Sequence, residues 1–177
     1  MINTFDKPII HANEELRFDN LNTYAVLDGY PDEYFNNVAC TIAKIFHTPI
    51  ALISLVGDKH VEFKGNFGME DTPIVERGVS LCSLAILDKT PIIFEDATKE
   101  PCLLNNPLVA GDFGLKFYAG VPLTTAEGFN IGTVCIIDKE PRKISDDEIQ
   151  LLSRFASNVM AELEARKILR IKLSNPT

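Results

Sequence analysis

One seven-residue run, Ile50 to Val56, constrains the fold of this chain more than any other feature. It reads Ile-Ala-Leu-Ile-Ser-Leu-Val, which is almost continuously apolar and rich in β-branched residues. A strand that faces water on one side alternates apolar and polar residues, so this run predicts a central strand that is covered on both faces. The rest of the chain must therefore supply helices that cover a sheet.

The composition fits one globular domain, which we place at residues 1–177. With 177 residues and 46% hydrophobic content, the chain can bury a substantial core. It has neither a secretory start nor an apolar stretch of membrane-spanning length, so we expect a soluble, cytoplasmic protein and no membrane partner. A formal net charge of -8 would repel a phosphate backbone, which excludes nucleic acid as a partner.

Periodicity predicts the elements on either side of the central strand. Apolar residues at helical spacing predict N-terminal helices within residues 13–48, the first over 13–27 and the second starting after Pro31. Strict alternation from His60 to Phe67 predicts a second strand with one solvated face. The apolar face of that strand comprises Val61, Phe63 and Phe67.

The region 49–143 holds the predicted sheet and its loops. A short helix is predicted over 80–87, a short strand over 91–94, and a hairpin of two strands over 117–125 and 129–138. The segment 97–116, rich in Pro, Asn and Gly, is the longest predicted irregular stretch, and long ordered loops often carry function. Adjacent hairpins together with helices favour an antiparallel α+β architecture.

A long C-terminal helix is predicted over residues 145–172. Ser145-Asp-Asp-Glu148 is a capping box, in which the serine and glutamate side chains satisfy free backbone amides at a helix start. The apolar residues that follow are spaced by steps of three and four. The helix would be longer than one small sheet can cover.

Several motifs in this order resemble those of the GAF domain family, in the bacterial sensor subgroup. The resemblance covers most of the chain, from Leu27 to Arg142. Its motifs are Pro49-Ile-Ala-Leu-Ile-Ser-Leu-Val, Phe63-Lys64 followed by Gly68, Ser80-Leu-Cys82, Phe94-Glu-Asp96-Ala97, Asn106-Pro-Leu-Val109, Phe117-Tyr-Ala-Gly-Val-Pro-Leu123, and Ile131-Gly-Thr-Val-Cys-Ile-Ile-Asp138 with Pro141-Arg142.

This resemblance implies a GAF-like (profilin-like) fold. Such a fold has a central antiparallel sheet of five or six strands, with terminal helices on one face and a loop-covered pocket on the other. The implied function is that of a sensory module in signal transduction, which binds a small molecule in the pocket and relays its occupancy through the terminal helices. We expect the pocket to involve Phe63, Cys82, Leu84, Phe94, Asp96 and Phe117.

Two of these pocket residues need separate comment, because the role of Asp96 is open and Leu84 departs from the family pattern. Asp96 would orient a ligand from the rim of the pocket, or would cap its own loop by accepting hydrogen bonds from backbone amides. Leu84 stands where the subgroup commonly shows a histidine, which removes a polar contact. The ligand identity of relatives therefore does not carry over to this chain.

The sequence favours no known cofactor. Cys82 is followed by Ser83, whereas GAF domains that attach bilins resemble one another in a Cys-His pair. A haem would need His47 or His60 turned into the pocket, yet these residues lie beside a predicted helix end and a turn. No histidine or cysteine shows the spacing of a local metal site. We predict no resident cofactor, no metal and no catalytic residue.

Two alternatives to a ligand sensor stay open. GAF-type enzymes that reduce free methionine sulfoxide use a nucleophilic cysteine and resolving cysteines, a pattern to which Cys82 and Cys102 are similar. Those enzymes also place a cysteine in the segment that reads Phe117-Tyr-Ala-Gly here, where this chain has none. The second alternative is a dimerisation scaffold without a ligand.

The resemblance also implies a partner. Family members pair their terminal helices across a two-fold axis, so we expect a homodimer, with a separate signalling protein as a further possible partner. The apolar positions assigned to the dimer interface are Ile149, Leu152, Val159 and Leu163.

Overall fold

The computed structural model describes residues 2–28, 32–69 and 72–174. Its six-stranded sheet comprises β1 (Ile50–Val56), β2 (His60–Phe67), β3 (Ile74–Glu76), β4 (Ile92–Phe94), β5 (Phe117–Thr124) and β6 (Asn130–Asp138). The strands lie in the order β3-β2-β1-β6-β5-β4, and every neighbouring pair is antiparallel. The α+β architecture with an antiparallel sheet is therefore confirmed. The sequence predicts a polar loop where the structure has the short strand β3.

Helices and short turns cover the two faces of the sheet. The described helices are α1 (Glu14–Asn22), α2 (Glu33–Phe46), α3 (Cys82–Ala85), α4 (Pro107–Ala110) and α5 (Asp146–Ser174). The predicted irregular segment 97–116 contains α4 and two 3-10 turns, at Ala97–Lys99 and Pro101–Leu103.

The sheet separates two apolar cores. The helix-side core lies under α2 and α5 and includes Phe35, Ile42, Phe46, Ala51, Ile53, Phe117, Val134, Leu152, Val159 and Leu163. The loop-side core lies under α3 and the segment 97–116 and includes Phe5, Ile9, Leu52, Phe63, Cys82, Leu84, Phe94, Tyr118 and Cys135. All seven residues of β1 are buried between the two cores, because β1 lies between β2 and β6 at the centre of the sheet. The prediction for β1 is confirmed.

A β-bulge in β2 corrects the predicted faces of that strand. Ile53 pairs with Gly65 and Ser54 with Phe63, so Lys64 is an extra residue in the ladder. An extra residue reverses the alternation beyond it. Phe67 therefore packs with the helix-side core, whereas Phe63 packs with the loop-side core.

The second face of β2 is also covered, contrary to the prediction of a solvated face. A Cβ atom at Gly65 would lie 2.5 Å from the carbonyl oxygen of Phe35, so α2 packs directly on this strand. Lys64 is itself buried and forms an ion pair with Asp28.

The first N-terminal helix is shorter than its predicted bounds, whereas the second agrees with its prediction. α1 ends at Asn22, because the Thr23 hydroxyl bonds to the Asn20 carbonyl oxygen (2.7 Å) and Ala25 adopts a positive φ of 48°. α2 begins at Glu33, and the Asp32 side chain accepts hydrogen bonds from two backbone amides of its first turn. Pro31, after which the second helix was predicted to start, lies outside the described residues.

The capping box of α5 is confirmed. Ser145 N donates to Glu148 Oε2 (2.9 Å), and Glu148 N donates to Ser145 Oγ (3.2 Å). Among the described helices, α5 included, none combines the length and the apolar character needed to cross a membrane.

The predicted dimer residues of α5 need correction. Leu152, Val159 and Leu163 are buried in the helix-side core of their own chain, and Ile149 is half-buried. They face the sheet because a long helix that packs on a sheet turns its most apolar stripe inward. The apolar side chains that α5 exposes lie elsewhere, chiefly on its last turns.

A buried ion triad fastens the N-terminal segment to the sheet. Glu14 Oε1 accepts hydrogen bonds from Arg17 Nη2 (2.6 Å) and Arg77 Nη1 (2.5 Å), and both arginines are almost fully buried. Arg77 also donates to the backbone oxygens of Gly57 and Ile9. Burial alone would raise the pKa of Glu14, but the hydrogen bonds from the two arginines outweigh it and lower the pKa to about 2.

Substitution E14Q removes the only carboxylate in this triad. We expect the free energy of unfolding at neutral pH to fall by about 3 kcal/mol, because two buried guanidinium groups lose their counter-charge. The pKa of Glu14 is lowered on folding, so its contribution is present above about pH 4.5 and is lost as the pH falls towards 2. Urea titrations across this range should show that the difference in unfolding free energy between wild type and E14Q becomes smaller as the pH falls.

Glu15 provides the matched control, since it is the adjacent, exposed carboxylate of α1. E15Q should change stability by less than about 0.5 kcal/mol at any pH. Equal effects of E14Q and E15Q would contradict the triad.

Candidate functional site

The candidate site is a hollow in the loop-side core, between the sheet and the segment that covers it. We call residues 103–116 the roof. Side chains from the sheet, from α3 and from the roof line the hollow, among them Leu52, Phe63, Cys82, Phe113, Leu115 and Tyr118. No lysine, arginine, aspartate or glutamate is among the described residues that line it. The free volume is about 20 Å³, enough for one water molecule.

The structure brings four of the six predicted ligand residues together. Phe63 and Cys82 line the hollow directly. Leu84 and Phe94 are buried in the same loop-side core without lining the free space. Whether these residues bind a ligand stays a prediction.

Phe117 lies on the opposite face of the sheet from the hollow. Successive residues of a strand point to opposite faces, and on β5 it is Tyr118 that points to the loop side. Phe117 is fully buried in the helix-side core, where the Arg142 guanidinium stands 5.8 Å from its ring centroid. It cannot share a ligand with Cys82 in this arrangement.

Asp96 also lies away from the hollow, and its side chain caps a 3-10 turn. Its Oδ1 accepts hydrogen bonds from Thr98 N (3.3 Å) and Thr98 Oγ1 (2.6 Å), and its Oδ2 forms an ion pair with Lys99 (2.9 Å). The bonds from Thr98 and Lys99 lower the pKa of the Asp96 carboxyl. Of the two roles considered for Asp96, the capping role is the one the structure displays.

Asp96 borders an open surface groove of about 620 Å³. The groove carries charges of both signs, and its cations are paired within it or beside it: Lys143 with Glu95 (2.5 Å) and Arg142 with Glu148 (3.4 Å). Such a groove offers no concentrated charge for recognition of an ion.

A polar cluster at the floor of the hollow was missed by sequence reasoning. The Cys82 and Cys135 sulfur atoms are 3.9 Å apart, and Tyr118 Oη donates to Cys82 Sγ (3.5 Å). Beside them, Ser54 Oγ and Thr133 Oγ1 share a hydrogen bond of 2.7 Å. The alternation of side chains along each strand could have revealed this cluster. The residues that the strands contribute to it all occupy positions that face the loop side.

Gly120 makes room for this cluster. A Cβ atom at Gly120 would lie 2.5 Å from the Tyr118 hydroxyl, so a larger residue would push that hydroxyl away from Cys82. Hydrogen bonds from Cys135 and from the neighbouring hydroxyl groups lower the pKa of Cys82, although its burial acts to raise it. The pKa of Cys135 is raised well above its usual value by its bond to Cys82 and by burial.

Cys102 does not belong to this cluster in the structure. It lies half-buried in the 3-10 turn Pro101–Leu103, at the edge of the loop-side core. The neighbouring thiol of Cys82 is that of Cys135, on β6. The cysteine pair considered for a reductase is therefore not the pair that the fold brings together.

Asn106 fastens the roof. Its Nδ2 donates to Val79 O (2.8 Å) and to Thr4 Oγ1 (2.9 Å), while its Oδ1 accepts from Leu108 N (3.0 Å) and caps α4. The Asn106 side chain is fully buried, so none of these bonds is replaced by water while the roof is closed.

Substitution N106A should loosen the roof selectively. We expect a loss of about 1–3 kcal/mol in the free energy of unfolding, because buried backbone groups lose their partners. Amide hydrogen exchange in the roof should accelerate more than exchange in β1 and β6. The adjacent, exposed Asn105 gives the control variant N105A, which should match wild type. Equal roof exchange in both variants would show that Asn106 does not hold the roof.

Comparison with known proteins places this geometry in a family. The chain matches the GAF domain family over residues 31–163. It is 37% identical over 159 residues to a cyclic di-GMP phosphodiesterase of Pseudomonas aeruginosa. That match covers 88% of this chain but 27% of the phosphodiesterase, so the chain spans little more than a quarter of its curated relative.

Two solved structures have the same fold. One is the free methionine-R-sulfoxide reductase of Neisseria meningitidis in complex with its substrate, with a TM-score of 0.63, 15% identity, and coverage of 88% of this chain and 86% of the other. The second is the PixJ GAF domain of Thermosynechococcus elongatus in its blue-light absorbing form, with a TM-score of 0.62, 16% identity, and coverage of 92% and 94%. At these identities the similarity shows the fold alone. Together with the family match, the six-stranded sheet and its order of elements establish that this chain belongs to the GAF domain family.

Proposed function

We propose that this chain is a non-catalytic regulatory GAF domain in signal transduction, which binds a small molecule in the loop-side hollow and relays occupancy through α5. The observation that carries the proposal is the hollow itself. It is apolar, it lies between a rigid sheet and a roof of short helices and turns, and it contains a few hydroxyl and thiol groups that could orient a ligand.

The similarity to the P. aeruginosa protein suggests the signalling process in which this domain acts. Since the chain matches only part of a cyclic di-GMP phosphodiesterase, we propose that it regulates cyclic di-GMP turnover in the cytoplasm. The hydrolysis itself is an activity of the whole relative. No charged side chain is among the described residues that line the hollow, so we propose a small, uncharged and mainly apolar ligand, not the dinucleotide.

Binding requires the roof to open. The closed hollow has space for one water molecule, so any larger guest must displace Phe113 and Leu115. The hydrogen bonds that join the roof to its surroundings include those of Asn106 to Val79 O and Thr4 Oγ1. At its end, Lys116 N donates to Asp138 O (3.0 Å) and Lys116 O accepts from Ala97 N (2.6 Å), so opening is easiest between these two attachments. A ligand that binds only the open state would shift the population towards it.

A reductase function is the weaker candidate. The fold is shared with a methionine sulfoxide reductase, but that similarity carries no chemistry at 15% identity. In this chain Cys82 is fully buried beside a space far smaller than an amino acid. A substrate would have to displace the roof before its sulfur atom reached Cys82.

Thermal unfolding with three probes tests the ligand proposal. Indole and hexanol are apolar and uncharged, so at about 100-fold excess over the dissociation constant they should stabilise the protein by about 2.7 kcal/mol and raise the Tm. Cyclic di-GMP should leave the Tm unchanged. N106A should bind indole more tightly than N105A does, because part of the opening cost has been removed.

Two results would contradict the proposal. If no probe raises the Tm of either variant, the domain is a scaffold without a ligand. If free methionine sulfoxide is turned over and the C82S variant abolishes that turnover, the domain is an enzyme.

We further propose that α5 relays the signal by pairing with α5 of a second copy. The exposed residues Leu151, Leu169 and Leu173 lie on one side of α5 at 100° per residue. Leu169 is 58% exposed and Leu173 is 72% exposed, and no residue of α5 beyond Leu163 is buried among those described. A second copy would offer the same stripe, as a two-fold interface requires.

Native mass spectrometry checks the dimer. Wild type should have twice the chain mass, and L169K should shift the population to the monomer because a lysine would be buried in the paired stripe. L104K is the matched control, since Leu104 is 56% exposed and follows the 3-10 turn Pro101–Leu103, away from α5. A monomeric wild type, or equal dissociation in both variants, would exclude this interface.

A further inference from the structure

We propose that Cys82 and Cys135 are a dithiol modification site, at which a small hydroperoxide oxidises the pair to a disulfide bond within the domain. This inference does not depend on the ligand proposal. It rests on the distance between the two sulfur atoms, on the hydroxyl groups around them and on the size of the space that leads to them.

The two thiols are close enough to join. Their sulfur atoms are 3.9 Å apart, so bond formation at about 2.05 Å requires an approach of about 2 Å. Cys82 opens α3, a helix of four residues, and Cys135 lies in the long strand β6. The short helix can shift by this amount more readily than the central sheet.

The surroundings favour Cys82 as the nucleophile. Tyr118 Oη donates to its sulfur, and the hydroxyl groups of Ser54 and Thr133 lie on the same side of the sheet. Donors of this kind stabilise a thiolate, and only the thiolate attacks a peroxide. The lowered pKa of Cys82 and the raised pKa of Cys135 agree with this division of roles.

The hollow sets the size of the oxidant. Cys82 lines a space of about 20 Å³, and the Cys82 and Cys135 side chains are otherwise closed off from solvent. A hydrogen peroxide molecule is only slightly larger than the one water molecule for which this space has room. A bulky disulfide such as oxidised glutathione cannot reach the sulfur while the roof is closed. The site therefore distinguishes a peroxide from a thiol-disulfide oxidant.

The reaction balances with hydrogen peroxide alone. The Cys82 thiolate attacks one peroxide oxygen, the O–O bond breaks, and the released hydroxide takes up the proton that Cys82 lost. Cys135 then attacks the sulfenic sulfur, an S–S bond forms and the S–O bond breaks. The second hydroxide takes up the Cys135 proton. Two thiols are oxidised, and one peroxide is reduced to two water molecules.

Intact mass and peptide mapping test this chemistry in the full chain. A background with C40S and C102S retains only the proposed pair. After reduction and treatment with hydrogen peroxide it should lose about 2 Da, apart from any oxygen added to methionine, and yield a peptide cross-linked between Cys82 and Cys135. Adding C82S to this background should abolish the loss. Oxidised glutathione should produce no cross-link.

Substitution C135S separates the two steps. Without the resolving thiol, Cys82 should stop at the sulfenic acid. Dimedone should label this sulfenic acid when the protein is unfolded in its presence, because the closed roof excludes a reagent of that size. Near-UV circular dichroism of C135S checks that it folds. If C135S does not fold, the cross-link in the variant with C40S and C102S, which keeps Cys135, still tests the proposal. Absence of that cross-link at peroxide doses that oxidise the methionines would overturn the proposal, as would a cross-link in wild type to Cys40 or Cys102.

Discussion

Burial of β1 on both faces is the constraint on which the rest of this structure depends. A strand with seven buried residues requires a cover on each side of the sheet, and the chain supplies two covers of different kinds. The helix side is closed by α2 and α5, whose apolar stripes interlock with the sheet over several turns. The loop side is closed by short helices and turns. The same requirement therefore produces one face that is covered by long helices and one that is covered by short elements.

Glycines let the layers of the fold approach closely at three points. A Cβ atom at Gly132 would lie 2.0 Å from Ser54 O, where β6 meets β1, and Gly65 allows α2 to pack on β2. Gly120 makes space for the Tyr118 hydroxyl above Cys82. Any side chain at these positions would have to separate two layers or displace the polar cluster. Packing density thus links the centre of the sheet to the chemistry on its loop side.

The order of elements could be predicted because it depends on local patterns. The continuous apolar run of β1, the β5–β6 hairpin and the capping box of Ser145 and Glu148 are each encoded within a few residues. What failed was the assignment of faces. The bulge at Lys64 reverses the alternation of β2, and a bulge is a property of the pairing between two strands, not of one strand alone.

The site was predictable only in part for the same reason. Phe63 and Cys82 were found because they carry motif positions next to the hollow. Phe117 was assigned to the wrong face of β5, since the next residue, Tyr118, is the one whose side chain lies on the loop side. Cys135 was overlooked because its importance comes from a contact 53 residues away in the sequence. The sequence correctly predicted an apolar stripe on α5. Whether such a stripe packs on its own sheet or on a partner depends on tertiary packing, which the spacing of residues does not show.

The alternation of side chains along β5 also connects the hollow with α5. Tyr118 on the loop side is followed back along β5 by Phe117 on the helix side, so a shift of this strand moves both cores together. The Arg142 guanidinium stands over the Phe117 ring and donates to Glu148 Oε1 (3.4 Å), while the backbone amide of Arg142 donates to Glu95 O beyond β4 (2.9 Å). Glu148 is the capping residue that fixes the first turn of α5. In the proposed relay, a change at this capped start would travel along a helix of 29 residues, about 44 Å long. Further along, Arg166 pairs with Asp32 (2.6 Å) and Arg170 Nη1 donates to Tyr24 O (2.5 Å), so the same helix also reaches the segment that joins α1 to α2.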